Sequence, residues 1–372
     1  MPTKSKNVCL AVVIALATAL SGSGAATAQK KPDTSGMETH AIEVRARPIQ
    51  RFSRGGADKG AKLSPRLEWR GGLVLSSPSR YFGGWSGLAL AGDGKSFVAV
   101  SDAGAWMTGK IAYDASGKPE DLRDTRIGAL LNRKGGPLAR ERERDAEALA
   151  LAGGTPSNGT AYIAFEQVDR IGLFKIEKGR LGKPSSYLKM PREAARMRMD
   201  GIEALTVLAG GPRKGALVAF AEHPLRGEDV HRGWIWLSDT PRGFTVAGIE
   251  GFGITDAASL PDGSVLVLER RFRWLEGLRV RLRQIDAGSI GPGSVAKGKV
   301  LLEANHASSE IDNLEALAVS TGEDGETVLT LMSDDNYNRF LQRTVLLQFT
   351  LHEEAVAEAS GAAKAKGPPA AQ

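Results

Sequence analysis

The chain is almost without cysteine. The single one, Cys9, lies in an apolar amino-terminal run from Val8 to Leu20. Lys4 and Lys6 precede that run, and Ala26-Thr27-Ala28 follows it with the small-x-small pattern of a cleaved export signal. A chain cut after Ala28 has no thiol, which excludes disulfides, thiolate nucleophiles and thiolate metal sites. No twin arginine is present, so the general secretion route is expected. No later run approaches the ~20 apolar residues of a membrane helix. The formal charge of +6 falls to +4 without Lys4 and Lys6, and aromatics are only 6% of residues. Both are too sparse for the basic, aromatic-studded face of a nucleic-acid binder. Also absent are a Gly-x-Ser-x-Gly elbow, a His-Glu-x-x-His helix, a phosphate-binding Walker loop and a contiguous calcium loop. The expectation is a periplasmic or extracellular protein, a monomer without nucleic-acid partner or organic cofactor.

What is abundant is glycine, 45 residues, in short apolar runs broken by turn signals such as Gly92-Asp93-Gly94, Asn158-Gly159, Pro261-Asp262-Gly263 and Asp324-Gly325. Within this pattern one motif recurs: Asp145-Ala-Glu147-Ala-Leu-Ala, Asp200-Gly-Ile-Glu203-Ala-Leu and Asp312-Asn-Leu-Glu315-Ala-Leu-Ala. Each is followed by a strand-like run ending in an acid, at Glu166, Glu222 and Asp334, always 19 residues after the glutamate. Looser copies run from Ser86 to Asp102 and from Asp256 to Glu269. Taking Ser86, Glu147, Glu203, Asp256 and Glu315 as equivalent gives repeats of 61, 56, 53 and 59 residues. Four short strands in each such span describe β-propeller blades. The fold predicted is all-β, a propeller of five four-stranded blades, with a sixth allowed if Ala41–Phe52 founds one. The last copy supplies three strands, and Leu67–Leu75 is the natural fourth, closing the ring and hiding its edge. The domain would span 41–352, between a disordered stretch at 29–40 and a disordered Ala/Lys/Glu/Pro tail at 353–372.

Strands one and two of a blade are antiparallel, so the start of one lies beside the end of the other. Glu147 is thus expected near Glu166, Glu203 near Glu222, Glu315 near Asp334 and Asp256 near Glu269, all facing one mouth of the channel. Crowded carboxylates raise one another's pKa unless a counter-charge is supplied. Two readings follow. The acids either bind backbone amides and arginines and hold the blades in register, or they hold a hard cation such as Ca²⁺, which takes six to eight oxygen ligands. On the second reading the ligands are Asp145, Glu147, Glu166, Asp200, Glu203, Glu222, Glu269, Asp312, Glu315 and Asp334. Arg144, Arg270 and Arg339 lie beside these acids, either as salt-bridge partners or as forks for an anionic substrate. His223, next to Glu222, is a candidate acid/base, ligand or structural hydrogen bonder. Glu203, Glu222 and His223 are the candidate catalytic residues. Arg279, Arg281 and Arg283 alternate with apolar residues and are expected on one solvated strand face, with an anion-binding patch the alternative.

The acid-Ala-Leu-Ala repeats, the stretch Trp85–Gly104, Leu122–Gly128 leading to Arg144-Asp145-Ala146-Glu147, and Ser333-Asp334-Asp335-Asn336 together resemble the phytase-like family of secreted bacterial proteins, also described as having esterase-like activity of phytase. The resemblance spans about Ala41 to Leu351. It implies a β-propeller and a phosphoester-hydrolysing activity on a small, phosphorylated molecule, with calcium in an acid-rich channel. The expectation is an exported metal-dependent phosphoesterase or esterase. The alternative is a non-catalytic propeller binding a sugar, peptide or envelope partner, since a fold alone cannot choose.

Overall fold

The computed structural model describes residues 30–54, 61–168, 170–191, 201–224 and 227–353. The export segment, Asp200 and the tail from 354 lie outside them.

Five antiparallel sheets form the blades, each meandering outward from an inner strand. The inner strands are Trp85–Leu90, Ala146–Gly154, Ile202–Val207, Gly253–Ser259 and Asn313–Thr321. Each contacts the next, and the fifth contacts the first, so the ring is closed with five blades. Period-2 patterning explains the assembly, because alternate residues of a strand face the two neighbouring blades. In the strand Leu217–Pro224, Val218 and Phe220 join an apolar cluster with Ile254, Val267 and Ile285 of blade 4. Leu217, Ala219 and Ala221 join another with Ala148, Ala150 and Ile171 of blade 2. Three further clusters fill the remaining junctions, giving one core per pair of neighbours.

The Ala-Leu-Ala run has its own role. Residues 88–90, 149–151, 205–207, 257–259 and 317–319, one triplet from each inner strand, line a small cavity of 120 Å³. The channel therefore has a mostly apolar constriction of Leu, Ala and Val, with Thr206 and Ser259 its only hydroxyls.

Ring closure follows the expected route. Leu67–Ser76 pairs with Thr344–Leu351 in blade 5, with Leu73 opposite Leu346. The preceding arm does not found a sixth blade. His40–Ala41 adds to the outer edge of blade 1 and Arg45–Ile49 to that of blade 5. Ala61–Leu63 adds to the edge of blade 4. Backbone groups of three sheet edges are thereby partnered rather than left open. Residues 30–39, expected to be disordered, lie against blades 1 and 2 with Thr34 and Met37 buried. Their polar composition carries no periodic signal, because single side chains rather than a face are buried.

Leu73 is fully buried at this closure. Leu73→Ala should cost about 2–5 kcal/mol in urea-induced unfolding. A loss below ~1 kcal/mol would show that the closing strand is not integral to the ring.

Candidate functional site

Every inner strand carries one extra residue at the same place. Register shifts fall between Trp85 and Gly87, Ala146 and Ala148, Ile202 and Ala204, Ile254 and Asp256, and Leu314 and Ala316. The bulged residues are therefore Ser86, Glu147, Glu203, Thr255 and Glu315. A β-bulge breaks the alternation of a strand and re-aims the extra side chain. It accounts for glutamate in an otherwise apolar strand. The fourth equivalent is thus Thr255, not Asp256. Asp256 is fully buried on the blade side, where it accepts hydrogen bonds from the backbone N–H of Ala257 (2.8 Å) and Leu317 (2.6 Å). The ring presents three carboxylates and two hydroxyls.

Around these three glutamates the strand ends and loops bring Asp102, Asp145, Glu166, Glu222 and Asp334, which act electrostatically on one another and on the ring. Asp145, Glu147 and Glu166 each offer an oxygen within 4.8 Å of the other two. Among the described residues, one arginine and one lysine touch the group. Arg270 donates from Nη1 to Glu315 (2.5 Å) and to Asn313, and from Nη2 to Glu222 (3.4 Å). Lys31 donates from Nζ to Asp145 (2.6 Å) and sits 3.1 Å from Asp102. Burial, then mutual repulsion, pushes Glu147 and Glu203 well above the ordinary carboxylate range. Glu166 rises to about 7 through burial, Asp145 and Glu222. Asp102 rises to about 7, burial outweighing the attraction of Lys31.

His223 Nδ1 lies 3.1 Å from Glu222 Oε2, and its ring is half exposed. Both line a cleft of 760 Å³ with Arg270, Arg271, Phe272, His306 and Leu341, over blades 3 to 5.

Of the acids singled out in the sequence, seven converge here: Asp145, Glu147, Glu166, Glu203, Glu222, Glu315 and Asp334. Two described ones do not. Glu269 is fully buried in blade 4 and paired with the equally buried Arg283, whose Nε donates at 2.8 Å. Asp312 accepts from the backbone of Asn313 (3.0 Å) and Arg343 (3.1 Å) and secures the blade 5 loop. Of the three candidate arginines, Arg144, Arg270 and Arg339, only Arg270 joins the group. Arg144 binds Asp33. Arg339 donates to the carbonyls of Ser77, Ser79 and Phe82, clamping blade 5 to blade 1. The strand expected to present Arg279, Arg281 and Arg283 to solvent instead buries the last two, Arg281 stacking 4.0 Å from the Phe252 ring centroid. Acids that compensate them, Glu269, Glu250 and Glu303, come from other strands and loops, which spacing cannot reveal. Lys31 was not foreseen, since a lone lysine in a polar stretch has no pattern. Asp102 was visible only as the end of the loosest repeat.

The model of the phytase-like family, esterase-like activity of phytase, matches residues 80–337. The chain belongs to this phytase-like family. No curated protein matches it at a significant level. The matched span of this phytase-like chain contains every carboxylate of the group and Arg270. It leaves out Lys31 and the strands Arg45–Ile49, Leu67–Ser76 and Thr344–Leu351 that complete blade 5.

Two expectations follow. In metal-free buffer the folded state holds protons on Asp102 and Glu166 up to about pH 7, whereas the unfolded chain releases them near the ordinary carboxylate values of 3.8 and 4.5. Stability should therefore fall as pH rises from about 4 to about 7, and Glu147 and Glu203 act in the same direction. Melting temperatures that rise over this window would contradict the crowding. Separately, Glu269→Ala leaves Arg283 buried without its partner and should cost about 3–5 kcal/mol. Its calcium response should match the wild type, and a lost response would put Glu269 in the site after all.

Proposed function

We propose that this phytase-like propeller is an exported, metal-dependent phosphoesterase or esterase that works at the acid-rich mouth. The observation that carries the reading is the convergence of Asp145, Glu147 and Glu166, with the neighbouring ring acids, above an apolar constriction. The donor set fits a hard cation: all oxygen, several negative charges, little competing nitrogen. Asp145, Glu147, Glu166 and Glu203 would hold it, with Ca²⁺ the natural occupant. A bound cation of this kind polarises a phosphoryl or carbonyl oxygen and makes a water molecule more acidic.

The chain's own residues supply the rest. Arg270, fixed by Glu315, Glu222 and Asn313, offers a fork at the edge of the cleft for an anionic oxygen. His223, oriented by Glu222 and open to the cleft, is placed to give a proton to a leaving alkoxide. Phe272 and Leu341 line the same cleft and suit the organic part of an ester. Export rests on the amino-terminal signal pattern.

Calcium at 100 times its Kd should stabilise the protein by about 2.7 kcal/mol, and chelator should reverse this. Glu203→Gln separates the roles of a site acid. It should raise the metal-free melting temperature by relieving repulsion, weaken the calcium response, and lower turnover of a phosphomonoester or carboxylic ester by about 10²-fold. No turnover of either ester class by the wild type, with no calcium effect, would favour a binding module.

A further inference from the structure

The mouth already holds a cation, and it belongs to the chain itself. Lys31 lies on a stretch without regular secondary structure, yet its Nζ reaches Asp145 Oδ1 at 2.6 Å and Asp102 Oδ2 at 3.1 Å. Its burial alone would lower the ammonium pKa, but Asp102 and Asp145 together outweigh burial and hold it charged. The seat is incompletely filled. The other Asp102 oxygen, Oδ1, is buried and has no hydrogen-bond partner among the described residues, and Asp102 itself is only 6% exposed. An anion-rich seat with one lone pair set unused is what a ligand with more coordination capacity than an ammonium would complete.

The segment is anchored just beyond the lysine. Asp33 is bound by Arg144, Thr34 donates to the carbonyl of Ala103 at 2.8 Å, and Met37 is packed in the core between blades 5 and 1. Gly104 makes room for the first of these contacts, since a Cβ there would lie 2.6 Å from Cβ of Arg144. Only Pro32 separates Lys31 from Asp33. The side chain can leave the acids while the anchor stays in place.

Asp145 is shared by two arrangements. Its Oδ1 accepts from Lys31 and its Oδ2 from Gln167 at 2.6 Å, so both oxygens are engaged. It is also one of the three carboxylates whose oxygens cluster within 4.8 Å. A cation using Asp145 must share an oxygen with one of these donors, and the ammonium beside it repels it.

We propose that Lys31 is a tethered competitor for divalent cations at the Asp102–Asp145 side of the mouth, released when a cation binds. This regulation rests on the mouth being a cation site. It is tested with calcium alone as the probe, by titration calorimetry and by hydrogen exchange of peptides covering residues 30–39. Lys31→Met should bind calcium about tenfold more tightly than wild type, a coupling of ordinary size. Asp33→Asn, which loosens the anchor without touching the acids, should gain a smaller factor, about threefold by the same coupling. It also serves if Lys31→Met does not fold. In the wild type, calcium should speed exchange at residues 30 and 31, ahead of the anchor. Equal calcium affinity in all three proteins, with unchanged exchange, would overturn the competition while leaving the cation site standing. Absence of calcium binding in every variant would overturn both.

Discussion

Repulsion among carboxylates at the end of a closed ring is the constraint that organises this protein. Five inner strands meet around a narrow axis, and a bulge on each turns one residue out of the packing plane into the mouth. Three of those residues are glutamates, and five more acids crowd them from strand ends and loops. Such an arrangement works against folding, because burial and like charge both penalise the ionised forms. It is held by what lies outside it. Each pair of blades shares an apolar core, and the ring is closed by a strand from the other end of the domain. The site is strained electrostatically, and its scaffold is packed conventionally, a division common where function requires unfavourable local chemistry.

Counter-charge is distributed unevenly, and the distribution is informative. Blade 4 carries several arginines, but most are consumed inside it: Arg283 by Glu269, Arg281 by Glu250, Glu303 and the face of Phe252. These pairs are fixed parts of the fold. Arg270 alone on that blade turns to the mouth. The opposite side, at blades 1 and 2, has no arginine among the acids in the described residues and depends on Lys31, which arrives on a short leash. One cation is therefore built in and the other is detachable, and the acids beside the detachable one are those best grouped to hold a metal.

Much of the architecture was legible in residues. The constant step of 19 from Glu147, Glu203 and Glu315 to the next acid reports two antiparallel strands of fixed length joined by a turn, and the turn signals mark where. Blade number and the closing strand Leu67–Ser76 follow from the same bookkeeping of strands. The site was legible only where it repeats. Glu269 pairs with Ile254, as Phe165 pairs with Ala146 and Ala221 with Ile202, so it stands one residue before the place of Glu166 and Glu222, which Arg270 takes in blade 4, and it meets Arg283 inside the blade. Arg339 follows Asp334 closely, yet its guanidinium is drawn to three carbonyls across the blade 5–blade 1 junction.

Periodicity and spacing by themselves determined the class of fold, the strand count and the convergence of the repeated acids, because each depends on contacts between near neighbours in the chain. Tertiary structure alone decided which acids face the mouth and which are paired within a blade. It also decided that Lys31 sits among Asp102 and Asp145. Those outcomes depend on where one extra residue enters a strand and on partners that are distant in sequence, and neither leaves a mark on local pattern.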